Sequence, residues 1–247
     1  MPQKVELVRK RADRLIARYY PNGFRSGTIA FYQWVRESVA PSTVMLNLGA
    51  GPPTEEPLRI FKGEVARVVG ADIDPVVLQN LELDEAHIYR AGESLPFAGD
   101  SFDLVLSDFV LEHVGEPLEF LNEVRRVLRP GGAFFFRTPN RCHYVTLIAR
   151  ATPQWFHRLA ANRARALSDD SHEPWPTWYR LNTRRKIAQV ARAARFSRVE
   201  LRTHEAEPSY LVFHPLPFLI GVAYERVVNR FDVLAGLRAN IFGRLVK

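Results

Sequence analysis

Two features of this sequence could do chemistry together. One is a glycine-bracketed turn, Asn47-Leu48-Gly49-Ala50-Gly51; the other is a carboxylate, Asp72, that follows after one further apolar run. Glycines at a strand-to-helix turn let the backbone approach a ligand closely. A carboxylate at the end of the next strand can accept hydrogen bonds from both hydroxyls of a ribose, which points to a cofactor built on a nucleoside. A Gly-x-Gly turn alone is weak evidence, because any tight turn can contain it, and Asp72 could instead cap the helix that begins near Pro75. Asp74 stands better placed for that cap, which leaves Asp72 for the ligand. A nicotinamide dinucleotide would favour a third glycine, with a helix N-terminus facing the pyrophosphate. Here Pro52 and Pro53 follow at once and the next glycine is Gly63, so a nicotinamide-dependent oxidoreductase is disfavoured.

The elements around these residues alternate. Thr43–Leu48 is a short apolar run stopped by Gly49, as expected of a buried parallel strand. Val65–Ala71 is a second such run, ending at Asp72, and Phe102–Ser107 is a third, preceded by the turn Ala98-Gly99-Asp100-Ser101. Glu116–Leu128 has apolar residues at helical spacing and stops at Pro130-Gly131-Gly132, before a strand at Ala133–Arg137. This alternation predicts an α/β protein with a doubly wound sheet that binds ligands at the carboxyl ends of its strands. Residues 141–182 break the rhythm with Tyr144, Trp155, Phe156, Trp175, Trp178 and Tyr179, and are expected to form a cover over those ends. A helix at Thr183–Ala194, β-prone segments at Arg198–Thr203 and Tyr210–Phe213, and one or two closing helices within 218–247 follow. No repeat or linker divides the chain. The expectation is one domain over 1–247: basic helices in 1–40, a core in 43–140, the cover in 141–182, and remaining strands and closing helices in 183–247.

The composition, 47% hydrophobic with a single cysteine, excludes a small disulfide-stapled fold. The net charge of +7 is unevenly placed. Residues 1–25 carry seven basic and two acidic groups, residues 26–140 nine and seventeen, and residues 141–247 eighteen and eight. Basic flanks around an acidic centre suit an anionic partner, a membrane surface or nucleic acid, or are solvated helix faces. Val5, Val8, Ala12, Leu15 and Tyr19 lie opposite Arg9, Lys10, Arg11, Arg14 and Arg18 on an amphipathic helix, with no uninterrupted apolar stretch of a secretory signal. Leu211–Tyr224 is interrupted by His214, Pro215 and Pro217 and is too short to span a bilayer. A cytoplasmic protein is expected, with peripheral contact to a membrane left open.

Gly92-Glu93-Ser94-Leu95-Pro96-Phe97, the stretch Ser101–Ser107 and Arg126–Gly132 join Gly49-Ala50-Gly51 and Gly70-Ala71-Asp72-Ile73-Asp74-Pro75 in one order. Together they resemble the class I S-adenosylmethionine-dependent methyltransferases, in the small-molecule, type 11-like branch, over about residues 43–140. The resemblance implies a Rossmann-like, mostly parallel sheet with one antiparallel strand near the C-terminus. It implies S-adenosyl-L-methionine as cofactor and S-adenosyl-L-homocysteine as product. Asn47 and the Gly49-Ala50-Gly51 loop would then lie against the methionine portion, and Asp72 would hold the ribose. Ile73 would pack on the adenine, Gly92 and Glu93 would line its edge, and the backbone from Ser107 to Phe109 would face the sulfonium. Two positions depart from the pattern: Asn47 stands where an acidic residue is usual, and Ala91 where many relatives place an aspartate.

Transfer to an alcohol requires an aligned nucleophile and an acceptor for its proton. His113, in Glu112-His113-Val114, is the first candidate for that general base, since an imidazole takes a proton near neutral pH. A structural histidine bonded to a loop carbonyl is the alternative. Asp108 is the second candidate, for removing the proton or polarising the acceptor. Ser107-Asp108-Phe109-Val110 stands in place of an Asp/Asn-Pro-Pro-Tyr motif, which disfavours amino methylation of nucleobases. Cys142 lacks the preceding proline expected of a cytosine-methylating nucleophile. Asp169-Asp170-Ser171-His172-Glu173 could ligate a hard divalent ion, although a solvated acidic loop is commoner, so a metal is not favoured. Tyr144, Trp175, Trp178, Tyr179 and Arg180 are the candidate acceptor-binding residues, or else the core of the cover. O-methylation of a hydroxyl is expected, with a saccharide or glycoside ahead of a lipid or quinone. A non-catalytic membrane- or nucleic-acid-binding protein on the same fold is the competing possibility, and nucleic acid is disfavoured because no aromatics interleave the basic N-terminal residues.

Overall fold

The computed structural model describes residues 14–21, 27–151, 176–208, 211 and 214–247. The chain divides into two compact units, one of Thr28–Arg141, Trp175–Thr203 and Asn240–Lys247, the other of Met1–Gly27, Cys142–Pro174 and His204–Ala239.

The larger unit is built on a seven-stranded sheet. Its strands are β1 (Val44–Leu48), β2 (Arg67–Asp72), β3 (Glu85–Ile88), β4 (Phe102–Asp108), β5 (Leu128–Pro139), β6 (Arg198–His204) and β7 (Asn240–Val246), in the order β3-β2-β1-β4-β5-β7-β6. β1 pairs parallel with β2 and β4, β2 with β3 and β4 with β5, whereas β7 runs antiparallel to β5. This is the expected doubly wound, mostly parallel sheet, with an antiparallel pairing near the C-terminus. Side chains alternate across it, as the two-residue period of a strand requires. Leu46, Leu48, Phe134 and Phe136 face one buried layer with Leu121 and Val124 of α2 (Pro117–Val127) and Ile187 and Ala191 of α4 (Arg184–Ala193). Met45, Leu104, Leu106 and Phe135 face the other, with Phe31, Trp34 and Val35 of α1 (Gly27–Arg36). Both faces are covered, so the central strands are mostly apolar. The chain order reverses between β1 and β4, and the carboxyl ends of these two strands open the crevice where such sheets bind ligands.

Two strands escaped the sequence. β3 reads Glu-Ala-His-Ile, lies at the sheet edge and is at most half-buried, so it carries no apolar run. β7 takes the end of a region expected to be helical. Its Gly243 fits beside the Phe136 ring, where any Cβ would overlap it.

In the smaller unit, residues 14–19 are helical, and the rest of the expected N-terminal helix lies outside the described residues. The unit also holds α3 (Tyr144–Ala151), α5 (Pro215–Arg230) and a 3₁₀ segment, Asp232–Leu237. The prolines expected to interrupt the C-terminal apolar run instead sit in the first turn of α5, where a missing N–H costs nothing. Of the β-prone Tyr210–Phe213, only Leu211 lies among the described residues, in a 3₁₀ turn. Among the described residues, no helix is long and apolar enough to cross a membrane.

Candidate active site

The turn after β1 is fixed by backbone geometry that only glycine accepts easily. Gly49 has φ +80°, donates its N–H to the Ala71 carbonyl at 2.7 Å, and has Val110 Cγ2 only 2.2 Å from where a Cβ would stand. Gly51 has φ +57° and nothing within 4 Å of a would-be Cβ, so open space lies over the loop. Its N–H donates to Asp72 Oδ2 at 2.8 Å, while the Asp74 N–H donates to Asp72 Oδ1 at 2.9 Å. Asp74 caps the following 3₁₀ turn by accepting from the Val76 N–H at 2.9 Å. Asp72 is therefore not the cap. Each of its oxygens has one backbone partner and keeps acceptor capacity, which fits two ribose hydroxyls.

A cavity of about 550 Å³ opens beside this turn, within the range of small-molecule sites. Leu48 ends β1 at its floor, and Ile73, Tyr89 and Val110 follow β2, β3 and β4 into its wall. Ala91, Gly92 and Glu93 line one side, His113 and Trp178 another. Glu116, Glu119 and Glu123 of the α2 region add carboxylates, of which Glu116 is paired with Arg180 and Glu123 with Arg126. Burial and the Asp72 charge push the Tyr89 hydroxyl up to about 12, so it stays a hydrogen-bond donor beside that carboxylate.

His113 closes a 3₁₀ turn, Leu111–His113. Its Nδ1 lies 2.9 Å from the Pro176 carbonyl. A carbonyl only accepts, so Nδ1 carries the proton and Nε2 of the neutral ring is left as an acceptor. The loop-carbonyl bond foreseen as the structural alternative is thus present, and it prepares the ring for the other role. The neighbouring Glu112 is buried, and burial pushes its carboxyl above the ordinary range despite the hydroxyl of Thr138 donating to it at 3.1 Å. Its main-chain carbonyl accepts the N–H groups of Trp178 at 2.8 Å and Tyr179 at 3.1 Å, which hangs that segment on the same turn. Arg180 donates to the Gly115 carbonyl at 2.6 Å and to Glu116 at 3.1 Å, with its guanidinium over the Trp178 ring.

Asp108 is placed differently from expectation. It does not line the cavity; Arg137 grips it through two bonds of 2.6 Å, and Arg59 at 3.1 Å and the Tyr32 hydroxyl at 3.2 Å complete the cluster. Two guanidiniums thus bind this carboxylate as its counter-ions, at a place outside the cavity lining. Ser107 is also structural, donating its hydroxyl to the Leu48 carbonyl at 2.8 Å. Phe109 adopts φ +58°, a strained conformation for a non-glycine residue, and the Arg137 guanidinium lies over its ring at 4.4 Å. Asn47 is half-buried in β1 between Gly70 and Leu106. Ala50 donates to the Ala71 carbonyl at 3.4 Å. Tyr144 belongs to the smaller unit, its ring 4.3 Å from His143 and 4.7 Å from Tyr224. Trp175 and the acidic run 169–173 lie outside the described residues. Among the described residues no three metal-ligating side chains converge.

Sequence reasoning missed Tyr89, Glu112, Glu119 and Glu123. For the last two a signal existed: they stand four positions apart on one flank of an amphipathic helix that follows β4.

A doubly wound sheet with a carboxylate at the end of the strand beside its switch point is the arrangement of the Rossmann-like folds. Residues 46–136 match the family profile described as methyltransferase domain, of type 11. A demethylmenaquinone methyltransferase of Clavibacter sepedonicus is 30% identical over 64% of this chain and 67% of its own. A ubiquinone biosynthesis O-methyltransferase of Cereibacter sphaeroides is 34% identical over 38% of this chain, which spans only 40% of that relative. An S-adenosylmethionine-dependent methyltransferase structure from Archaeoglobus fulgidus superposes with a TM-score of 0.57 at 15% identity, covering 94% of this chain and 98% of its own. The chain belongs to the class I S-adenosylmethionine-dependent methyltransferases, whose cofactor is S-adenosyl-L-methionine.

Proposed function

We propose that this protein methylates a hydroxyl oxygen of a small-molecule acceptor. The supporting observation is one cavity lined both by Leu48 and Ile73, the chain neighbours of the glycine turn and of Asp72, and by a histidine whose Nε2 is left as an acceptor. Asp72 would hold the ribose, Ile73 the adenine face, and Gly92 and Glu93 its edge. Asn47, the Gly49-Ala50-Gly51 loop and the backbone from Ser107 to Phe109 would hold the methionine end. When bound, S-adenosyl-L-methionine supplies a methyl group already activated by its sulfonium. His113 would take the acceptor's proton on Nε2 while the Pro176 carbonyl steadies the resulting imidazolium through Nδ1. Trp178 would cover the acceptor and keep water out.

The names of the relatives favour a flat phenol- or quinone-type acceptor over the saccharide or glycoside that the aromatic residues first suggested. Such an acceptor suits a single Trp178 ring over the cavity. A cytoplasmic place with access to a membrane surface agrees with it.

Calorimetry should detect S-adenosyl-L-homocysteine binding to the wild type, and Asp72→Ala should weaken it by about ten- to a hundredfold, the worth of one or two charge-assisted hydrogen bonds. No binding to the wild type would leave the non-catalytic alternative standing. His113→Ala should lower turnover by about 10²–10⁴-fold, the usual share of a general base, with product affinity unchanged. His113→Gln keeps a donor for Pro176 but no base; full turnover in that variant would reduce His113 to a positioning residue.

A further inference from the structure

A second cavity of about 550 Å³ adjoins the first. Glu116 lines both; Trp178 lines the first and its neighbour Tyr179 the second. Leu118 and Val190 give the second cavity apolar wall, and Arg141, Arg180, Lys186 and Asn182 give it polar wall.

Its charge is unbalanced. The single lining carboxylate, Glu116, is bonded to Arg180 at 3.1 Å. Arg141 and Lys186 are exposed and, among the described residues, neither side chain forms an ion pair. Lys186 also ends the run Arg184-Arg185-Lys186 that opens α4, with no acidic residue in that first turn. Cations at the positive end of a helix dipole oppose it, at about 0.3–1 kcal/mol each. Such a helix start is costly unless an anion sits before it. The third observation is Asn182, 1% exposed, whose Nδ2 donates to Thr138 Oγ1 at 2.6 Å and to the Pro139 carbonyl at 3.0 Å while Oδ1 is buried without a partner. An occupant's hydroxyl, or a water carried with it, would satisfy that acceptor.

We propose that this cavity holds an oxyanion of the methyl acceptor, a carboxylate or a phosphate, between Arg141 and Lys186, so that the substrate is an acidic small molecule. This rests on the methyl-transfer function assigned to the first cavity, with the acceptor reaching past the Glu116–Arg180 pair. Arg141 brings a planar fork and Lys186 a point charge, a combination that takes either oxyanion.

Calorimetry of the full chain with phenyl phosphate, benzoate and uncharged phenol tests this. At least one acid should bind tenfold or more tightly than phenol, and the better acid identifies the oxyanion. Arg141→Ala combined with Lys186→Ala should cost that acid about tenfold or more, while S-adenosyl-L-homocysteine affinity stays at the wild-type value and the melting temperature does not fall. Equal binding of phenol and both acids, or undiminished acid binding by the double variant, would overturn the proposal. Acid binding lost in the double variant of a protein that never binds S-adenosyl-L-homocysteine would sink the methyl-transfer function and leave the anion site intact.

Discussion

Asp108→Asn should damage the stability of this protein far more than any proton-transfer role would suggest. The Asp108 and Arg137 side chains are each 5% exposed, face each other in register across β4 and β5, and share two bonds of 2.6 Å. Removing the carboxylate charge leaves a guanidinium buried between strands, with the Thr28 hydroxyl at 2.8 Å as its other side-chain partner. Breaking one side of a buried pair costs about 3–5 kcal/mol, a large part of a total stability of about 5–15 kcal/mol. For a chain of this size that corresponds to a melting point lower by roughly 6–20 °C. Arg59, with its side chain 30% exposed, can turn to solvent and adds little. The double variant Asp108→Leu, Arg137→Met removes both charges and should recover most of the loss. Urea unfolding of Asp108→Leu, Arg137→Met and the double variant that combines them measures the coupling directly. A single variant melting within a degree or two of wild type, or a double variant no better than the worse single, would refute the assignment of Asp108 as a buried counter-ion.

Two further substitutions test the site's scaffold. Gly51→Ala should cost about 1–2 kcal/mol, the steric price of a left-handed conformation. Gly49→Ala should cost about 2–4 kcal/mol in the same denaturant titration, because its Cβ would also strike Val110 Cγ2. Equal losses would mean that Val110 gives way freely. Burial raises the Glu112 carboxyl, so the folded state favours its protonated form, and this contribution to stability fades as pH climbs from the ordinary carboxylate range through the raised value. Glu112→Gln should therefore melt above wild type at about pH 8 and level with it at about pH 4; a gap that widened toward acid would reverse the sign.

The central strands were legible because burial on both faces writes itself as apolar-rich runs with few polar breaks, as in Val44–Leu48 and Leu104–Leu106. The turn was legible because positive φ at Gly49 and Gly51 selects glycine, and Asp72 because Asp74 was better placed to cap. β3 was not, since an edge strand of four residues buries too little to show a pattern. β7 was not, because its place beside β5 depends on an antiparallel pairing with a segment a hundred positions earlier.

Local order along the chain thus set the ligand-binding end of the sheet and the carboxylate expected to meet a ribose, since both depend on backbone conformation and burial within a few residues. Which polar groups are free to react was decided by contacts between distant segments. Asp108 and His113 read alike in sequence, as titratable groups beyond one strand. Arg59 and Arg137 close over the first, while the Pro176 carbonyl fixes the proton of the second and leaves its other nitrogen open. A hydrogen bond acts over 3 Å of space whatever the distance along the chain, so only the folded structure separates the two.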